Sequence, residues 1–310
     1  MIIKYKIAKT ICRFLPPLFA QSVRNRIISI EEGELLNMDF RKKSFTGNVF
    51  SGNTSDFHAF KFSIHGYFDW RNIIISNEVL KYKNGGSIIE VGANIGTETV
   101  SYCDVAKKYH SKVISFEPLV TNLDSVIRNK TENKINNLEV FNCLVSNAPG
   151  KASFNVPTGN NSGSGFITNT TEKNTQEFDV VTLDEKIKDE LVALICVDVE
   201  GFEYQVLQGG EDIIKRNMPV LILEVNKRYL EKRGQVPFET FCNYINALGY
   251  DCYSINKLGI SKVDFNNHKT QANKNWVCLA NKDLPIIKKI NKNLIFSAFN
   301  PFMQINQELN

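Results

Sequence analysis

Short, nearly continuous apolar runs begin near residue 76 and alternate with segments whose apolar side chains recur at helical spacing. Strands that are apolar on both faces and separated by helices are typical of a parallel sheet covered on both sides. Two later runs predict further strands, and the last is expected at an edge of the sheet. The predicted strands are 87–91, 112–116, 138–144, 193–197, 220–225, 251–255 and 275–280, and the predicted helices are 97–109, 121–130, 204–215 and 238–248.

Residues 1–75 lack this alternation, so we interpret them as an N-terminal cap or extension on a main domain that covers residues 76–283. Residues 284–310 then form a C-terminal tail. Between residues 150 and 182 the chain turns small and polar, which predicts a long loop. Loops of this length inside a domain are uncommon, and this one is either a lid over a substrate or an exposed excursion.

The first 20 residues combine basic side chains with an apolar stripe of Ile3, Ile7, Ile11 and Phe14 at helical spacing. Such a stripe usually packs a helix against its own protein. The neighbouring lysines leave a second interpretation open, in which residues 1–20 make peripheral contact with an acidic membrane surface. Because no run reaches the roughly 18 to 20 apolar residues that span a bilayer, no membrane crossing is expected.

Composition narrows the classes of function. The 310 residues are 43% hydrophobic, which supports a folded core, and 37 basic and 33 acidic side chains are interspersed, giving a net charge of +4. No basic block marks a nucleic-acid-binding surface, so no nucleic-acid partner is expected. Seven cysteines without a C-x-x-C pair predict reduced thiols and a cytoplasmic location. Core or solvated positions, rather than a metal site, are expected for the four histidines: His58, His65, His110 and His268.

The most specific local signal is the run IIEVGANIGT, in which a buried strand turns into a helix through Gly92 and Gly96. Ligands bind beside such turns at the carboxyl ends of strands. A dinucleotide fingerprint starting at Gly92 needs glycines where Asn94 and Thr97 stand, and no Gly-Lys-Ser/Thr of a phosphate loop follows. The turn therefore fits an uncharged nucleoside with an amino-acid tail better than a pyrophosphate.

Glu117 ends the next strand, 21 residues after Gly96. An acid at about 20 residues from such a turn can accept hydrogen bonds from both hydroxyls of a ribose. On its own, an acid followed by a proline at a strand end can equally begin a helix. Together with the glycine turn, Glu117 predicts a nucleoside-binding crevice.

The runs VGANIGTET, SFEP, CVDVEGFEYQVLQGG and PVLILEV, taken together, resemble the FkbM family of S-adenosylmethionine-dependent methyltransferases over residues 76–283. The resemblance implies an α/β fold of the Rossmann-like class I methyltransferase type, with a mostly parallel seven-stranded sheet and an antiparallel last strand. It also implies contacts to S-adenosylmethionine, as follows. Glu90 and the turn of Gly92, Asn94 and Gly96 would face the methionine part, Glu117 would hold the ribose, and Asn147 stands where related proteins often place an acid against the adenine.

Acidic residues follow two later strands. Asp198 and Glu200 are two positions apart, so an extended segment places both carboxylates on one side. Asp198, Glu224 and Asn226 resemble the oxygen ligands of metal-dependent O-methyltransferases of this fold, which makes Mg²⁺ a candidate second cofactor. The alternative is that Asp198 and Glu200 cap the following helix.

From these residues and this resemblance we expect methyl transfer from S-adenosylmethionine to an acceptor oxygen, with Asp198 and Glu200 as candidate catalytic residues. The acceptor is a small molecule or a glycan, and its identification as a sugar hydroxyl in polysaccharide biosynthesis rests on the resemblance. Asp198 either accepts the hydroxyl proton directly or holds a metal that lowers the pKa of the hydroxyl. Two alternatives stay open: a nicotinamide-dependent sugar oxidoreductase or epimerase on a Rossmann sheet, and a non-catalytic protein that binds membrane surfaces.

Overall fold

A computed structural model of the chain describes residues 1–168, 174–265 and 274–303. The N-terminal part folds into helices and one β-hairpin. Polar side chains start several of these helices: Ser29 forms a capping box with Glu32, and Asp56 accepts two amide hydrogens of the next helix. The elements are α1 (Ile2–Cys12), α2 (Pro17–Ile27), α3 (Ile30–Glu34), β1 (Asp39–Lys43), β2 (Val49–Asn53), α4 (Phe57–His65) and α5 (Trp70–Lys83).

Helix α1 docks on the protein through Tyr5, Ala8 and Cys12, which are buried against α2 and α4. The small side chains of Ala8 and Cys12 allow this close approach. The apolar stripe that the sequence predicts as the docking face lies on the opposite side and is exposed. The exposed fractions are 73% for Ile3, 45% for Ile7, 43% for Ile11 and 55% for Phe14.

Helix α5 links the N-terminal part to the rest of the chain. It begins after Asp69, whose side chain accepts a hydrogen bond from the Arg71 amide. Ile73 and Val79 are buried in the same core as residues of the central sheet. The boundary predicted between residues 75 and 76 therefore falls inside a helix, and the two parts share one core.

The central sheet confirms the α/β fold class. Its strands are β3 (Ser87–Val91), β4 (Val113–Phe116), β5 (Leu138–Phe141), β10 (Val192–Val197), β11 (Val220–Val225), β12 (Tyr250–Asn256), β13 (Gly259–Lys262) and β14 (Lys274–Ala280). Five of them run parallel in the order β5-β4-β3-β10-β11, and the order continues with β14, β12 and β13, each antiparallel to its neighbour. The sheet thus has eight strands among the described residues where seven are predicted, because β13 pairs with the outer edge of β12.

Strand β14 is internal and not at the edge that the sequence predicts. Its Cys278 pairs with Leu221 of β11 on one side and with Cys252 of β12 on the other. Because β14 runs antiparallel to β11, its first residue, Lys274, lies at the same end of the sheet as the carboxyl ends of the parallel strands. A disulfide joins Cys252 and Cys278, so the expectation of reduced thiols is wrong for this pair.

Helices cover both faces of the central sheet. Along β3, Ile88 faces one hydrophobic core and Ile89 faces the other. The predicted C-terminal tail contains a helix that buries Ile290 and Leu294 in the first core, and its residues 304–310 lie outside the described part of the chain. These helices are α6 (Thr99–Lys108), α7 (Val120–Glu132), α8 (Leu183–Lys186), α9 (Glu203–Gln208), α10 (Glu211–Asn217), α11 (Lys227–Lys232), α12 (Phe238–Ala247), a 3₁₀ helix (Asn281–Ile286) and α13 (Ile287–Phe299).

The helix predicted over 204–215 is divided into α9 and α10 at Gly209 and Gly210. A Cβ atom on Gly209 would lie 2.0 Å from the carbonyl oxygen of Ser146, so this approach of two backbones requires glycine. Among the helices that the structure describes, none combines the length and the apolar character needed to cross a membrane.

The segment predicted as a long loop over 150–182 contains most of a second, four-stranded sheet. Residues 169–173 of this segment lie outside the described residues. The strand predicted over 138–144 is interrupted at Asn142, whose side chain donates hydrogen bonds to two carbonyl oxygens that follow β4. Residues 158–165 remain a loop. The strands are β6 (Leu144–Val145), β7 (Gly150–Asn155), β8 (Phe166–Ile167) and β9 (Thr175–Val181).

Candidate active site

The turn after β3 lies between the ends of β4 and β10. Gly92 has a φ of +91°, and a Cβ atom there would lie 2.1 Å from the carbonyl oxygen of Asp198, so only glycine fits. The amides of Gly92 and Ala93 donate hydrogen bonds to the carbonyl oxygen of Phe116 at 3.0 and 3.1 Å. Two cavities open at this turn, and both are lined by Gly92, Asn94 and Asp198.

The first of them, the Glu117 cavity, is lined by Glu117, Leu144 and Phe154. The Glu117 carboxylate is buried and accepts hydrogen bonds from the Asn94 amide at 2.8 Å, the Leu119 amide at 3.0 Å and Asn122 Nδ2 at 3.2 Å. Burial raises the pKa of Glu117 to about 7 although these donors oppose the shift. Glu117 is thus tied to the glycine turn, as the sequence predicts.

A polar loop, residues 160–165, lies across the Glu117 cavity. Ser162 Oγ is 2.6 Å from Asn94 Oδ1, and the carbonyl oxygen of Ser162 accepts a hydrogen bond from Asn122 Nδ2 at 3.3 Å. The Ser162 amide donates to Asp56 at 3.2 Å, and the Phe57 amide donates to the carbonyl oxygen of Asn160. Of the two interpretations of this region, these contacts favour the lid.

The second cavity, the carboxylate cavity, is lined by the side chains of Glu90, Glu98, Asp198 and Glu224. Glu90 is buried and accepts hydrogen bonds from Thr99 Oγ1 at 2.8 Å and Ser115 Oγ at 2.6 Å. Burial raises the pKa of Glu90 to about 7 and the pKa of Glu98 well above its usual range. The lining that the structure describes contains no lysine or arginine, so this cavity is strongly acidic.

Asp198 follows β10 at the junction of the two cavities. Its side chain is exposed to this space and forms a hydrogen bond with Glu224. Desolvation by the surrounding protein and the negative charge of Glu224 raise the pKa of Asp198 well above its usual range. The carboxylate oxygens of the two residues lie within 4.8 Å of each other, so the charge of Glu224 disfavours ionisation of Asp198.

Helix α9 begins without a hydrogen bond from a capping side chain in the described structure. Glu203 accepts the amide hydrogens of Val199 at 3.4 Å and Gly201 at 3.1 Å before α9. Glu200 has a φ of +56° and forms a 2.8 Å ion pair with Arg233. The capping alternative for Asp198 and Glu200 therefore finds no support in these contacts.

The carboxylate oxygens of Asp198, Glu200 and Glu224 lie within 4.8 Å of one another. Asn226, predicted as a metal ligand, begins α11, and its Oδ1 accepts a hydrogen bond from the Tyr229 amide at 3.2 Å. This bond competes with metal ligation by Asn226. Asp198 and Glu224 lie close together as the sequence predicts, and the third member of this carboxylate group is Glu200 in place of Asn226.

Asn147 lies away from the cavities. It is exposed, and its Nδ2 lies 3.3 Å from the Oε1 of Gln208. The interruption at Asn142 shortens β5, and the chain beyond β6 turns outward to Gly209. The predicted adenine contact through Asn147 therefore has no geometric support, and the lining residue nearest to it in the sequence is Val145.

His58 was missed by the sequence analysis and lines the carboxylate cavity. Its Nδ1 lies 3.2 Å from Asn94 Nδ2, and its ring packs on Phe68 with centroids 4.4 Å apart. Burial lowers the pKa of His58 to about 4, so the ring is neutral at pH 7. No local motif surrounds His58, because α4 reaches the site only through tertiary packing. Another histidine of the sequence, His268, lies outside the described residues.

Comparisons with known proteins identify a family that the chain matches. A family model described as the methyltransferase FkbM domain matches residues 90–252, more than half of the chain. The structure of an FkbM methyltransferase from Methylobacillus flagellatus KT is 16% identical, with a TM-score of 0.43, over 84% of this chain and 60% of that one. The chain therefore spans less than two thirds of that protein.

Two further solved structures are similar at lower identity. An rRNA methylase from Streptococcus thermophilus is 11% identical, with a TM-score of 0.39, over 66% of this chain and 94% of that one. A precorrin-6y C5,15-methyltransferase from Geobacter metallireducens GS-15 is 9% identical, with a TM-score of 0.37, over 67% of this chain and 87% of that one. No curated protein sequence matches the chain.

Proposed function

The chain belongs to the FkbM methyltransferase family, and we propose that its two adjoining cavities bind S-adenosylmethionine and present the methyl group to an acceptor hydroxyl beside Asp198. The observation that carries this proposal is the set of four carboxyl groups that line the carboxylate cavity. S-adenosylmethionine carries a sulfonium and an ammonium group against one carboxylate. A cavity with four carboxyl groups and no lysine or arginine in its described lining stabilises such a cation.

The Glu117 cavity fits the nucleoside part of this donor. Glu117 offers the ribose hydroxyls a buried carboxylate beside the glycine turn, and Leu144, Phe154 and Ile167 offer apolar walls to the adenine. We therefore place the adenine against these walls and not at Asn147. The Glu117 cavity measures only about 60 Å³, so donor binding requires residues 160–165 to move outward.

The proposed chemistry uses Asp198 as a general base. As the acceptor oxygen attacks the methyl carbon, the C–O bond forms, the C–S bond breaks, the sulfur keeps the electron pair, and Asp198 takes the hydroxyl proton. Only the ionised form of Asp198 accepts this proton, and the positive charge of a bound sulfonium favours that form, whereas burial and Glu224 raise the pKa of Asp198. Glu200, the other candidate catalytic residue, is neutralised by Arg233, and we assign it to holding the strained turn after Asp198.

Mg²⁺ is the alternative to direct proton transfer. Asp198 and Glu224 supply the hard oxygen donors that this ion prefers, and Glu200 is close enough to contribute. However, Glu200 is already paired with Arg233, and Asn226 Oδ1 accepts a hydrogen bond from the Tyr229 amide, so fewer oxygen ligands remain for a metal. We therefore propose the metal-free route.

We also propose two finer properties of this enzyme. The acceptor is a saccharide hydroxyl, an inference from the resemblance to glycan-modifying members of the family. The exposed stripe of α1, with Lys4 and Lys6 on the same helix, touches an acidic membrane surface peripherally in the cytoplasm.

Thermal unfolding tests the proposed donor. A ligand at 100 times its Kd stabilises the folded protein by about 2.7 kcal/mol, which raises Tm by a few degrees. S-adenosylmethionine and S-adenosylhomocysteine should raise Tm in this way, and NAD should not, because its pyrophosphate would face the carboxyl groups. A shift with NAD and none with S-adenosylhomocysteine would favour the oxidoreductase alternative.

A further inference from the structure

A third cavity opens beside the carboxylate cavity and shares Phe68, Glu224 and Asn275 with it. Its volume is about 510 Å³, against about 60 Å³ for the carboxylate cavity. A molecule in this space therefore reaches the wall that holds Glu224, the partner of Asp198. Under the proposed function, it is the space available to the acceptor.

The walls of this cavity come from distant parts of the chain. Helix α2 contributes the exposed polar side chains Gln21, Ser22 and Asn25. The turn after β12 contributes Lys257, and the first residue of β14 contributes Lys274. Since β14 is antiparallel to β11, both lysines lie at the carboxyl end of the parallel strands, where the site is built.

Positive charge dominates the rim of the cavity. Lys61, Arg71, Lys257 and Lys274 line it, against the acids Asp69 and Glu224. Arg71 forms an ion pair with Asp69, and Glu224 is bonded to Asp198. The remaining lysines are Lys61, Lys257 and Lys274, and within the described residues no ion pair involves them. We call this space the lysine cavity.

Lys61 differs from the other two lysines in its surroundings. Its Nζ lies 3.9 Å from the centroid of the Phe57 ring and 4.6 Å from that of Phe68. These faces hold the ammonium group in place without neutralising it. Burial lowers the pKa of Lys61 to about 8, which still leaves most of it protonated at pH 7.

We propose that the lysine cavity binds an acceptor that carries an anionic group, a carboxylate or a phosphate on a saccharide. This inference rests on the proposed function and adds the chemical class of the acceptor. The anion contacts Lys257 and Lys274, and Gln21, Ser22 and Asn25 donate and accept hydrogen bonds with sugar hydroxyls. The acidic carboxylate cavity repels the anion, so the acceptor is oriented with its charge outward and a hydroxyl toward Asp198.

Calorimetry on the protein saturated with S-adenosylhomocysteine tests this proposal. The probes are methyl glucuronide, glucose 6-phosphate and the neutral methyl glucoside. At least one anionic probe should bind about tenfold or more tightly than methyl glucoside, since charge-assisted hydrogen bonds are lost with the neutral sugar. The tighter of the two anionic probes distinguishes a carboxylate from a phosphate.

A double variant assigns the binding to the cavity. Lys257→Gln with Lys274→Gln should lower the affinity for the anionic probe to that of methyl glucoside and leave the affinity for S-adenosylhomocysteine unchanged. The matched control, Lys81→Gln with Lys188→Gln, removes the same charge from exposed positions outside the cavity and should change neither affinity.

The possible failures are distinguishable. Loss of S-adenosylhomocysteine binding in the wild type contradicts the proposed function. If the wild type binds S-adenosylhomocysteine but binds methyl glucoside as tightly as both anionic probes, or binds neither anionic probe, the acceptor is not anionic. Equal loss in the double variant and the control also overturns the proposal, because a general charge effect then explains the binding.

Discussion

The proposed donor side, formed by the Glu117 cavity and the carboxylate cavity, and the proposed acceptor side, formed by the lysine cavity, differ in the ionisable groups that line them. Four carboxyl groups line the carboxylate cavity, while lysines that form no ion pair with any described residue line the cavity beside it. The donor side is fixed by backbone packing at the ends of adjacent strands, whereas the acceptor side is assembled from side chains of α2, α4, α5, β12 and β14. From this contrast we infer a cationic ligand in the carboxylate cavity and an anionic ligand in the lysine cavity. The shapes of the cavities alone do not distinguish these ligands.

The largest effect is expected from a substitution at Gly92, which changes the backbone of the proposed donor site. Gly92→Val forces a side chain against the Asp198 carbonyl in a conformation that valine rarely adopts. Affinity for S-adenosylhomocysteine should fall by about 100-fold or more, since this strain and the displaced strand end cost several kcal/mol. Calorimetry measures the loss, and circular dichroism checks folding.

Gly159→Val is the matched control, because a Cβ atom at Gly159 meets nothing within 4 Å. It should bind S-adenosylhomocysteine as the wild type does. Normal binding by a folded Gly92→Val protein would remove the turn from the donor site.

The next prediction concerns Asp198, where the two sides meet. Asp198→Asn keeps the shape and removes the base, so methyl transfer to a genuine acceptor should slow by roughly 10²- to 10⁴-fold. Affinity for S-adenosylhomocysteine should change little by comparison. Glu200→Gln, whose carboxylate is already paired with Arg233, should have the smaller effect on turnover. Wild-type turnover in Asp198→Asn would return Asp198 to a structural role.

Removal of metal ions distinguishes the two routes through Asp198. Wild-type activity should be indifferent to EDTA, since the proposed route needs no metal. Activity that EDTA abolishes and Mg²⁺ restores would instead make Asp198 and Glu224 metal ligands.

A smaller effect on S-adenosylhomocysteine affinity is expected at Glu117, the residue proposed to contact the ribose. Glu117→Ala should weaken S-adenosylhomocysteine binding about tenfold, the value of lost charge-assisted hydrogen bonds. The ribose donates to the ionised carboxylate, and the pKa of Glu117 is raised to about 7. Affinity should therefore rise with pH through 7 and level off above it. Glu117→Gln should bind more weakly with a flatter pH profile, and an unchanged profile would place the ribose elsewhere.

The smallest effect tests how far the acceptor side extends. Helix α2 lines the lysine cavity and packs against α1, whose apolar stripe is exposed. Ile3→Ser with Ile7→Ser should weaken binding to phosphatidylserine vesicles by about three- to tenfold. Ile127→Ser removes a similarly exposed isoleucine from α7 and should have no effect. Equal vesicle binding by all three proteins would leave α1 without a membrane role.

The grouping of Gly92, Glu117 and Asp198 can be predicted from the sequence because residues that follow strand ends in one contiguous domain lie close together. Gly92, Glu117 and Asp198 each end a short apolar run, and the order of strands in a parallel sheet brings them together. The predicted adenine contact through Asn147 finds no support in the structure because Asn142 interrupts the strand before it. This interruption depends on one side chain that donates hydrogen bonds to a distant backbone, and such bonds leave no periodic signal in the sequence.

The acceptor side could not be predicted in the same way. His58 and Lys61 reach the site on a helix of the N-terminal part, and Lys274 reaches it because β14 is inserted between β11 and β12. These placements depend on packing between segments far apart in the chain, and hydrophobic periodicity does not encode which segments pack together. The same limit explains the stripe of α1, where periodicity identifies the helix but not the face that is buried.

We propose that the methyl donor lies across the Gly92 turn with its reactive end at Asp198. A crystal structure with S-adenosylhomocysteine measures this directly. We expect the ribose hydroxyls within hydrogen-bond distance, about 2.5 to 3.0 Å, of the Glu117 carboxylate. We also expect the sulfur at the junction of the Glu117 cavity and the carboxylate cavity, facing Asp198. A nucleoside bound away from Glu117, or a sulfur directed away from Asp198, would show that the donor does not bind in this way.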